Sequence, residues 1–320
     1  MSSAARARQK ARPARHIVVK IETNVDLDHL RIFVTVADLA GFTAAADRLA
    51  IGKARASLAV RALEARLGAR LFQRTTRTVR LTPDGEQLLP RARQLVAEAD
   101  EVAAMFQGAR ALRGVVRIDL PIVFARDHVI PRLPELFALH PELEVQVSTT
   151  DRRVEVVREG FDLVLRVGTL RTSGLIARRL GALELVSCAS PAYLRRRGTP
   201  RTLADLDGHV LVGYAQTFGE PPTFEYRAGD RYLQHPMRAQ VTVNSADAYR
   251  VACLAGLGII QAPRLGLHAL LDDGALVEVL PDLPAAPMPV SLLHAHGRTP
   301  PRRVRAVMTW LASIVTPRLR

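Results

Sequence analysis

The chain has 320 residues, a formal charge of +14 and two cysteines. No stretch reaches the length of a membrane helix, and the N-terminus lacks the apolar core of a secretory signal, so we expect a cytoplasmic protein without a membrane partner. Residues 1–20 carry +6 and residues 48–80 carry +8, which together account for the whole charge. A generally cationic surface is therefore excluded.

The segment 1–24 offers little apolar area to offset the entropy of ordering it, and we predict a disordered basic tail. Two interpretations remain open. We favour a dispensable leader over an arm that binds DNA, because polybasic disordered tails are common. An arm would add only sequence-independent, salt-sensitive affinity.

Residues 25–82 have the pattern of a winged helix-turn-helix. Apolar residues spaced by three and four predict a first helix over Asp26–Ala40, ended by Gly41. Thr43 is predicted to cap a second helix, and a third begins near Lys53. The segment Leu71–Leu81 is typical of two short strands around a basic tip.

The third helix separates a packing face from an exposed face. Ala56, Val60, Leu63 and Leu67 mark the inward face, and Gly68 ends the helix. The polar residues near its start can then meet base edges, as recognition helices do.

The chain resembles the LysR-type transcriptional regulators. The matching residues are Leu30–Val34, Gly41–Ala46, Leu49, Ser57, Leu63–Gly68, Leu71, Phe72, Arg74, Arg77 and Leu81–Gly85. Two positions depart from the pattern, since Gly52 replaces the usual Ser or Thr and Leu58 replaces a frequent basic residue. Gly is a weaker N-cap and Leu58 removes a polar contact, so docking should survive while the preferred operator sequence cannot be deduced.

The pattern and the resemblance together give a set of predicted DNA-binding residues. Any single arginine among them could instead belong to a solvated basic face, but the cluster as a whole favours double-stranded DNA as a partner. The set consists of Thr43, Lys53, Arg55, Ser57, Arg61, Arg74, Thr75 and Arg77.

Residues 83–110 are predicted to form a linker and dimerisation helix. Apolar residues recur at alternating steps of four and three from Leu88 to Phe106, which is typical of a seam against a partner helix. The seam could pack on the effector domain of its own chain. The resemblance favours pairing between subunits, hence a homodimer or homotetramer on a paired operator.

Residues 114–320 alternate apolar strands with helical segments, which predicts an α/β architecture in two lobes. The resemblance implies a periplasmic-binding-protein-like effector domain, with lobe I at 114–186 and 289–320 and lobe II at 187–288. We place the two crossings between lobes near Ser187–Ser190 and Leu280–Pro289. A small-molecule effector would bind between the lobes.

Predicted cleft residues lie where strands end, because backbone N–H groups there can receive a polar ligand. Arg166 follows an apolar strand and could bind a carboxylate, although a surface position or an interlobe salt bridge is as plausible. Asp119 is close by, so the effector need not be an anion. The set consists of Pro121, Ile122, Phe124, Thr149, Thr150, Arg166, Gly168, Thr169, Gly213, Tyr214, Asn244 and Ser245.

Catalytic and metal motifs are not found. Cys188 and Cys253 are expected to be packed thiols, and no third ligand accompanies His294 and His296. Gly256 and Gly258 lack the third glycine of a dinucleotide loop, so Gly256 is predicted to stop a helix. We therefore expect no enzyme, metal or cofactor.

Two other classes of protein were weighed. A solute-binding transport component would need an export signal and no helix-turn-helix, and an enzyme with a DNA-binding head would need a catalytic set in the cleft. The sequence favours a regulator that binds operator DNA and a small-molecule effector, with RNA polymerase as a further expected partner. The effector, the operator and the sign of regulation are not encoded in any recognisable pattern.

Overall fold

The computed structural model describes residues 25–74, 79–105, 112–152, 154–170, 174–215, 219, 221–296 and 300–320. The chain divides into two compact units, Met1–Asp84 and Gly85–Arg320. The basic tail at 1–24, the wing-tip residues Thr75 and Arg77, and the predicted helix end at 106–110 lie outside the described residues.

The first unit is helical with a two-stranded wing. Phe72, on the first strand, packs its ring against Phe33 and Phe42, with ring centroids 5.4 and 5.8 Å apart. These aromatic contacts join the wing to the helices. The elements are α1 (Leu27–Leu39), α2 (Phe42–Arg48), α3 (Lys53–Leu67), and the antiparallel strands β1 (Phe72–Arg74) and β2 (Val79–Leu81).

The helix boundaries differ from the sequence prediction at two places. Ala40, with a φ of 49°, takes the left-handed position that ends α1, whereas Gly41 is extended and serves as the N-cap of α2. Thr43 therefore lies inside α2, and the prediction that it caps the helix is wrong. Leu67 is 40% exposed rather than packed, because the buried face of α3 ends at Leu63 and Glu64.

A buried carboxylate fixes the entry to the wing. Glu64 on α3 is 7% exposed, and its Oε1 accepts hydrogen bonds from the backbone N–H groups of Leu71 at 2.8 Å and Phe72 at 3.3 Å. These two N–H groups would otherwise be buried without a protein acceptor at the start of β1. Glu64 thus sets where the wing leaves the recognition helix.

The second unit begins within α4 (Pro83–Met105) and contains two lobes. Lobe I is built on a five-stranded sheet in the order β4-β3-β5-β14-β6, in which β3, β4 and β5 are parallel and β14 is antiparallel to its neighbours. Its elements are β3 (Gly114–Leu120), α5 (Ile122–Phe124), α6 (Leu133–Leu139), β4 (Leu143–Thr149), α7 (Val156–Glu159), β5 (Leu163–Val167), β6 (Ile176–Leu183), β14 (Met288–His294) and α11 (Arg302–Val315).

Lobe II contains a parallel pair, β8 and β11, next to an antiparallel sheet in the order β12-β7-β13. A parallel bridge between Leu211 and Ile259 joins the two sets, and the hairpin of β9 and β10 stands beside them. The elements are β7 (Leu185–Ala189), α8 (Pro191–Arg197), β8 (Val210–Tyr214), β9 (Thr223–Ala228), β10 (Arg231–Pro236), β11 (Arg238–Val243), α9 (Ala246–Leu254), β12 (Ile260–Pro263), α10 (His268–Asp272) and β13 (Val277–Glu278).

The first crossing between lobes lies earlier than predicted. β6 of lobe I ends at Leu183 and β7 of lobe II begins at Leu185, so the chain crosses at Glu184 and not at Ser187–Ser190. Only Glu184 separates the two strands, so the sequence shows no turn or loop that would mark the change of sheet. The second crossing falls between Glu278 and Met288, an interval that overlaps the predicted segment Leu280–Pro289.

Among the described residues, no single helix is long and apolar enough to cross a membrane, although α1 and α2, bent by 120°, would suffice together by length and composition. The predicted order along the chain, a helical domain with a wing followed by a two-lobed α/β unit, is confirmed.

Candidate DNA-binding and ligand-binding sites

The start of α3 presents a basic face. Lys53, Arg55 and Arg61 are exposed, and Ser57 is half-buried, while Ala56, Val60 and Leu63 on the opposite face are fully buried. Gly52 occupies the N-cap without a side-chain hydrogen bond, as the sequence predicts. The first turn of α3 thus leaves backbone N–H groups and cationic side chains on one surface, a combination that binds phosphate.

The other predicted DNA-binding residues lie on neighbouring elements. Thr43 is exposed on α2, and Arg74 ends β1, at the side of the wing tip. Leu58 is 62% exposed on α3, so the departure from the family pattern places an apolar side chain on the surface of this helix.

A cavity of about 410 Å³ lies between the two lobes of the second unit. Its size is in the range of small-molecule sites. Six of the predicted cleft residues line it, four from lobe I and two from the end of β8 in lobe II. They are Pro121, Phe124, Thr150, Arg166, Gly213 and Tyr214.

The remaining predicted cleft residues do not line this cavity. Thr169 and Asn244 are exposed, and the backbone N–H of Gly168 donates to the carbonyl of Pro289 at 2.8 Å. Two of these residues, Ile122 and Thr149, are neighbours of lining residues in the chain, and the other four follow the ends of β5 and β11. The residues outside the lining are Ile122, Thr149, Gly168, Thr169, Asn244 and Ser245.

Arg166 pairs with Asp119 inside lobe I. Its Nη1 lies 2.9 Å from a carboxylate oxygen of Asp119, which is fully buried on the adjacent strand β3. The interlobe salt bridge left open by the sequence is therefore not what Arg166 forms. Burial raises the pKa of Asp119, and hydrogen bonds from Ser148 and Arg166 oppose this rise. Nη2 of Arg166 has no hydrogen-bond partner among the described residues.

Two polar contacts join the lobes at the N-terminus of α9. The backbone N–H of Ala246 donates to Oδ2 of Asp151 at 2.7 Å, and Arg126 contacts Asp247 at 2.8 Å. Asp151 and Arg126 belong to lobe I, whereas Ala246 and Asp247 start a helix of lobe II. A carboxylate at a helix N-terminus is stabilised by the helix dipole, so Asp151 favours the approach of the lobes.

The sequence prediction missed several residues that line the cavity. Glu225 comes from β9, Gln261 from β12 and Tyr249 from α9. The ring of Tyr249 packs on that of Tyr214 with centroids 5.2 Å apart. Burial raises the pKa of both phenols, that of Tyr214 to about 12, so both remain neutral donors at physiological pH.

A signal for Glu225 exists in the sequence. Thr223–Ala228 alternates polar and apolar residues and is followed by the turn dipeptide Gly229-Asp230 and a second short segment, Arg231–Pro236, which is typical of a hairpin. That pattern predicts the hairpin but not its position against the cavity, because this position depends on pairing between distant segments.

The residues for which the sequence predicts no catalytic or metal-binding role are packed or paired in the structure. Cys188 on β7 and Cys253 on α9 are buried free thiols, and Gly256, with a φ of 77°, follows the end of α9 as predicted. His296 contacts Asp162 at 3.0 Å. Within the described part of the chain, no group of three or more potential ligands could hold a metal ion.

Two family models match the chain. The bacterial regulatory helix-turn-helix protein of the LysR family matches residues 27–86, and the LysR substrate binding domain matches residues 109–315. The helix-turn-helix match covers α1–α3 and the wing, and the second match covers both lobes. The chain belongs to the LysR family of transcriptional regulators, a family of regulators and not of enzymes.

Relatives match along nearly their whole length. An uncharacterised regulator of Escherichia coli K12, YhjC, is 41% identical over 89% of this chain and 96% of its own. A transcriptional repressor of Pseudomonas aeruginosa is 32% identical over 90% of this chain and 92% of its own. The similarity to these relatives therefore covers both domains, from the helix-turn-helix to the final helix.

Solved structures of LysR-type regulators also match nearly the whole chain. CrgA, a LysR-type regulator of Neisseria meningitidis, has a TM-score of 0.57 at 25% identity, covering 91% of this chain and 99% of its own. The full-length virulence activator AphB of Vibrio cholerae has a TM-score of 0.54 at 25% identity, covering 90% and 99%. Regulators of this family bind DNA and small-molecule effectors and form oligomers.

Proposed function

We propose that the protein is a sequence-specific transcriptional regulator controlled by a small molecule bound, and not consumed, in the cavity between its lobes. The observation that carries this proposal is the cavity itself, lined by strand ends of both lobes and by Arg166. The proposed macromolecular partners of the regulator are operator DNA and RNA polymerase, both in the cytoplasm.

The switch follows from differential affinity. A ligand can shift an equilibrium only by binding one conformation more tightly than another. A compound that touches both lobes, where Asp151 and Arg126 already hold the start of α9, favours the closed arrangement. Closure then changes how the DNA-binding heads of an oligomer meet a paired site.

The DNA contacts are proposed in two groups. Arg55 and Ser57 contribute base selectivity. The other residues contact the phosphate backbone and position the duplex; they are Thr43, Lys53, Arg61, Arg74, Thr75 and Arg77. Arg55→Ala should cost about 1–3 kcal/mol on the operator and little on random DNA, whereas Arg61→Ala should weaken both alike and flatten the salt slope. Equal losses on both duplexes for Arg55→Ala would remove it from the base-reading set.

Assembly is proposed to use α4. Leu95 and Val102 are 48% and 58% exposed on this helix, one heptad apart along the predicted seam. Apolar side chains at that spacing indicate a surface for a second α4, which gives a homodimer or homotetramer.

The experiment that tests the proposal is recovery of bound DNA. Crosslinking the protein in cells and sequencing the recovered DNA should yield a set of promoters that share a paired site, and these promoters name a pathway. Footprinting on those fragments then measures whether a compound of the pathway alters protection. Recovery of DNA without any shared site would contradict sequence-specific regulation.

A further inference from the structure

The charges around the cavity are not those of a simple anion site. Arg166 lines the cavity, but its charge is balanced by the fully buried carboxylate of Asp119. What remains for a ligand is Nη2, a buried hydrogen-bond donor without a partner among the described residues. Such a donor can bind a carboxylate or a carbonyl oxygen, but the pair adds no net positive charge to the site.

Glu225 is a positioned carboxylate in the same lining. Its backbone N–H donates to Oε1 of Gln261 and its carbonyl accepts from Nε2 of Gln261, both at 2.8 Å. Its own Oε1 accepts from the backbone N–H of Ala286 at 3.1 Å. These contacts hold the side chain beside the cavity, and no cationic side chain among the described residues forms an ion pair with it.

The two other acids of the lining are both held at the start of α9. Asp151 accepts a hydrogen bond from the backbone N–H of Ala246 at 2.7 Å. Asp247 contacts Arg126 at 2.8 Å and Arg250 at 3.3 Å. Of the three acids in the lining, Glu225 is thus the one that is held by neither a helix N-terminus nor an ion pair among the described residues. A half-buried carboxylate is stabilised by a cation, and none of the described residues supplies one to Glu225.

Aromatic rings lie in the same wall. Tyr214 and Tyr249 both line the cavity and pack on each other. The face of a tyrosine ring attracts an ammonium group, and the remaining wall includes the apolar residues Phe124 and Met288. The cavity thus combines the Glu225 carboxylate, aromatic faces, an apolar surface and the guanidinium donor of Arg166.

We infer that the effector is a zwitterion of the amino-acid type, whose basic nitrogen binds Glu225 and whose carboxylate or carbonyl oxygen accepts from Nη2 of Arg166. This inference rests on the proposed function, since it specifies the class of compound that occupies the cavity. A carboxylic acid without a basic nitrogen leaves Glu225 uncompensated and is discriminated against for that reason.

Matched compounds test the basic nitrogen and the carboxylate of the proposed ligand separately. Calorimetric titration of the full chain would use L-phenylalanine and L-leucine, the corresponding acids without the amino group, hydrocinnamate and isocaproate, and the corresponding amines, phenethylamine and isoamylamine. We expect at least one amino acid to bind about tenfold or more tightly than its acid, the ratio for loss of a charge-assisted hydrogen bond.

The variant Glu225→Gln keeps an oxygen for Ala286 and removes the charge. It should reduce the preference for the amino acid over its acid to near unity. The control Glu142→Gln changes an exposed carboxylate outside the cavity lining and should leave the preference intact. Because the comparison of matched compounds is made first on the unmodified chain, it does not depend on how the variant folds.

Three results would overturn the inference: equal or tighter binding of the acids, an amino-acid preference that survives in Glu225→Gln, or no binding of any compound with a basic nitrogen at millimolar concentration. If a carboxylic acid binds and alters the DNA footprint, the proposed ligand-controlled regulation stands, and only the inference of a zwitterionic effector is wrong. A bound compound of any class that leaves the footprint unaltered would count instead against the proposed switch.

Discussion

The guanidinium of Arg166 lies 2.9 Å from the carboxylate of Asp119, and the two side chains are 15% and 0% exposed. The pair stands at the carboxyl ends of two adjacent strands, at the wall of the cavity. Arg166 therefore has a structural role as well as a ligand-facing one, because it compensates a charge that has no access to water.

Removal of Arg166 should destabilise the second unit. Arg166→Ala leaves Asp119 buried without its cation, and the expected loss is about 3–5 kcal/mol in the free energy of unfolding. Arg152→Ala is a suitable control, because Arg152 contacts Glu159 with 61% of its side chain exposed, and surface pairs contribute about 0–1 kcal/mol. Urea unfolding measures both variants, and equal losses for the two would contradict this role of the buried pair.

Stability should depend on pH through Asp119. Burial raises its pKa in the folded protein above the ordinary value of 3.8, so the folded state binds this proton more tightly than the unfolded chain does. Its favourable contribution is thus present at low pH and is lost as the pH rises through the folded pKa. Relative to wild type, Asp119→Asn should gain stability as the pH rises from about 4 to about 8.

Urea midpoints of Asp119→Asn and wild type at several pH values measure this difference. A difference that stays constant or shrinks with rising pH would mean that the contacts from Ser148 and Arg166 outweigh burial.

Loss of the Glu64 carboxylate should loosen the wing. Glu64→Ala leaves the buried N–H groups of Leu71 and Phe72 without their acceptor, at about 1–3 kcal/mol for each unsatisfied group. Glu64→Gln retains an acceptor oxygen and should cost less. Hydrogen exchange at these two amides reports the change directly, and unaltered protection in Glu64→Ala would show that the wing is held by its aromatic contacts alone.

A charge in the α4 seam should weaken assembly. Leu95→Glu places a carboxylate in the proposed subunit interface, where it would be buried without a partner. Leu233→Glu, on the β9–β10 hairpin and of similar exposure at 44%, is the matched control. Light scattering should show a smaller mass for Leu95→Glu only, and an unchanged mass for both would place the interface elsewhere.

Local patterns predicted much of the fold, and long-range pairing explains what they missed. The spacing of apolar residues located α3 and most strands of both lobes, and strand ends correctly placed Arg166, Gly213 and Tyr214 at the cavity. β6 has an exposed, arginine-containing sequence at a sheet edge, which masks its strand character. Glu225 and Tyr249 reach the cavity only through the packing of a hairpin and a helix from distant parts of the chain.

The most direct test of the account is a footprint on a recovered operator fragment, made with the full chain as the tightest-binding compound of the amino-acid panel is titrated to saturation. We expect protection over a paired site that changes in extent on saturation, with the compound recovered chemically intact. Arg55→Ala should lose the specific protection in both conditions. A footprint identical with and without saturating compound, or turnover of that compound, would contradict a ligand-controlled regulator.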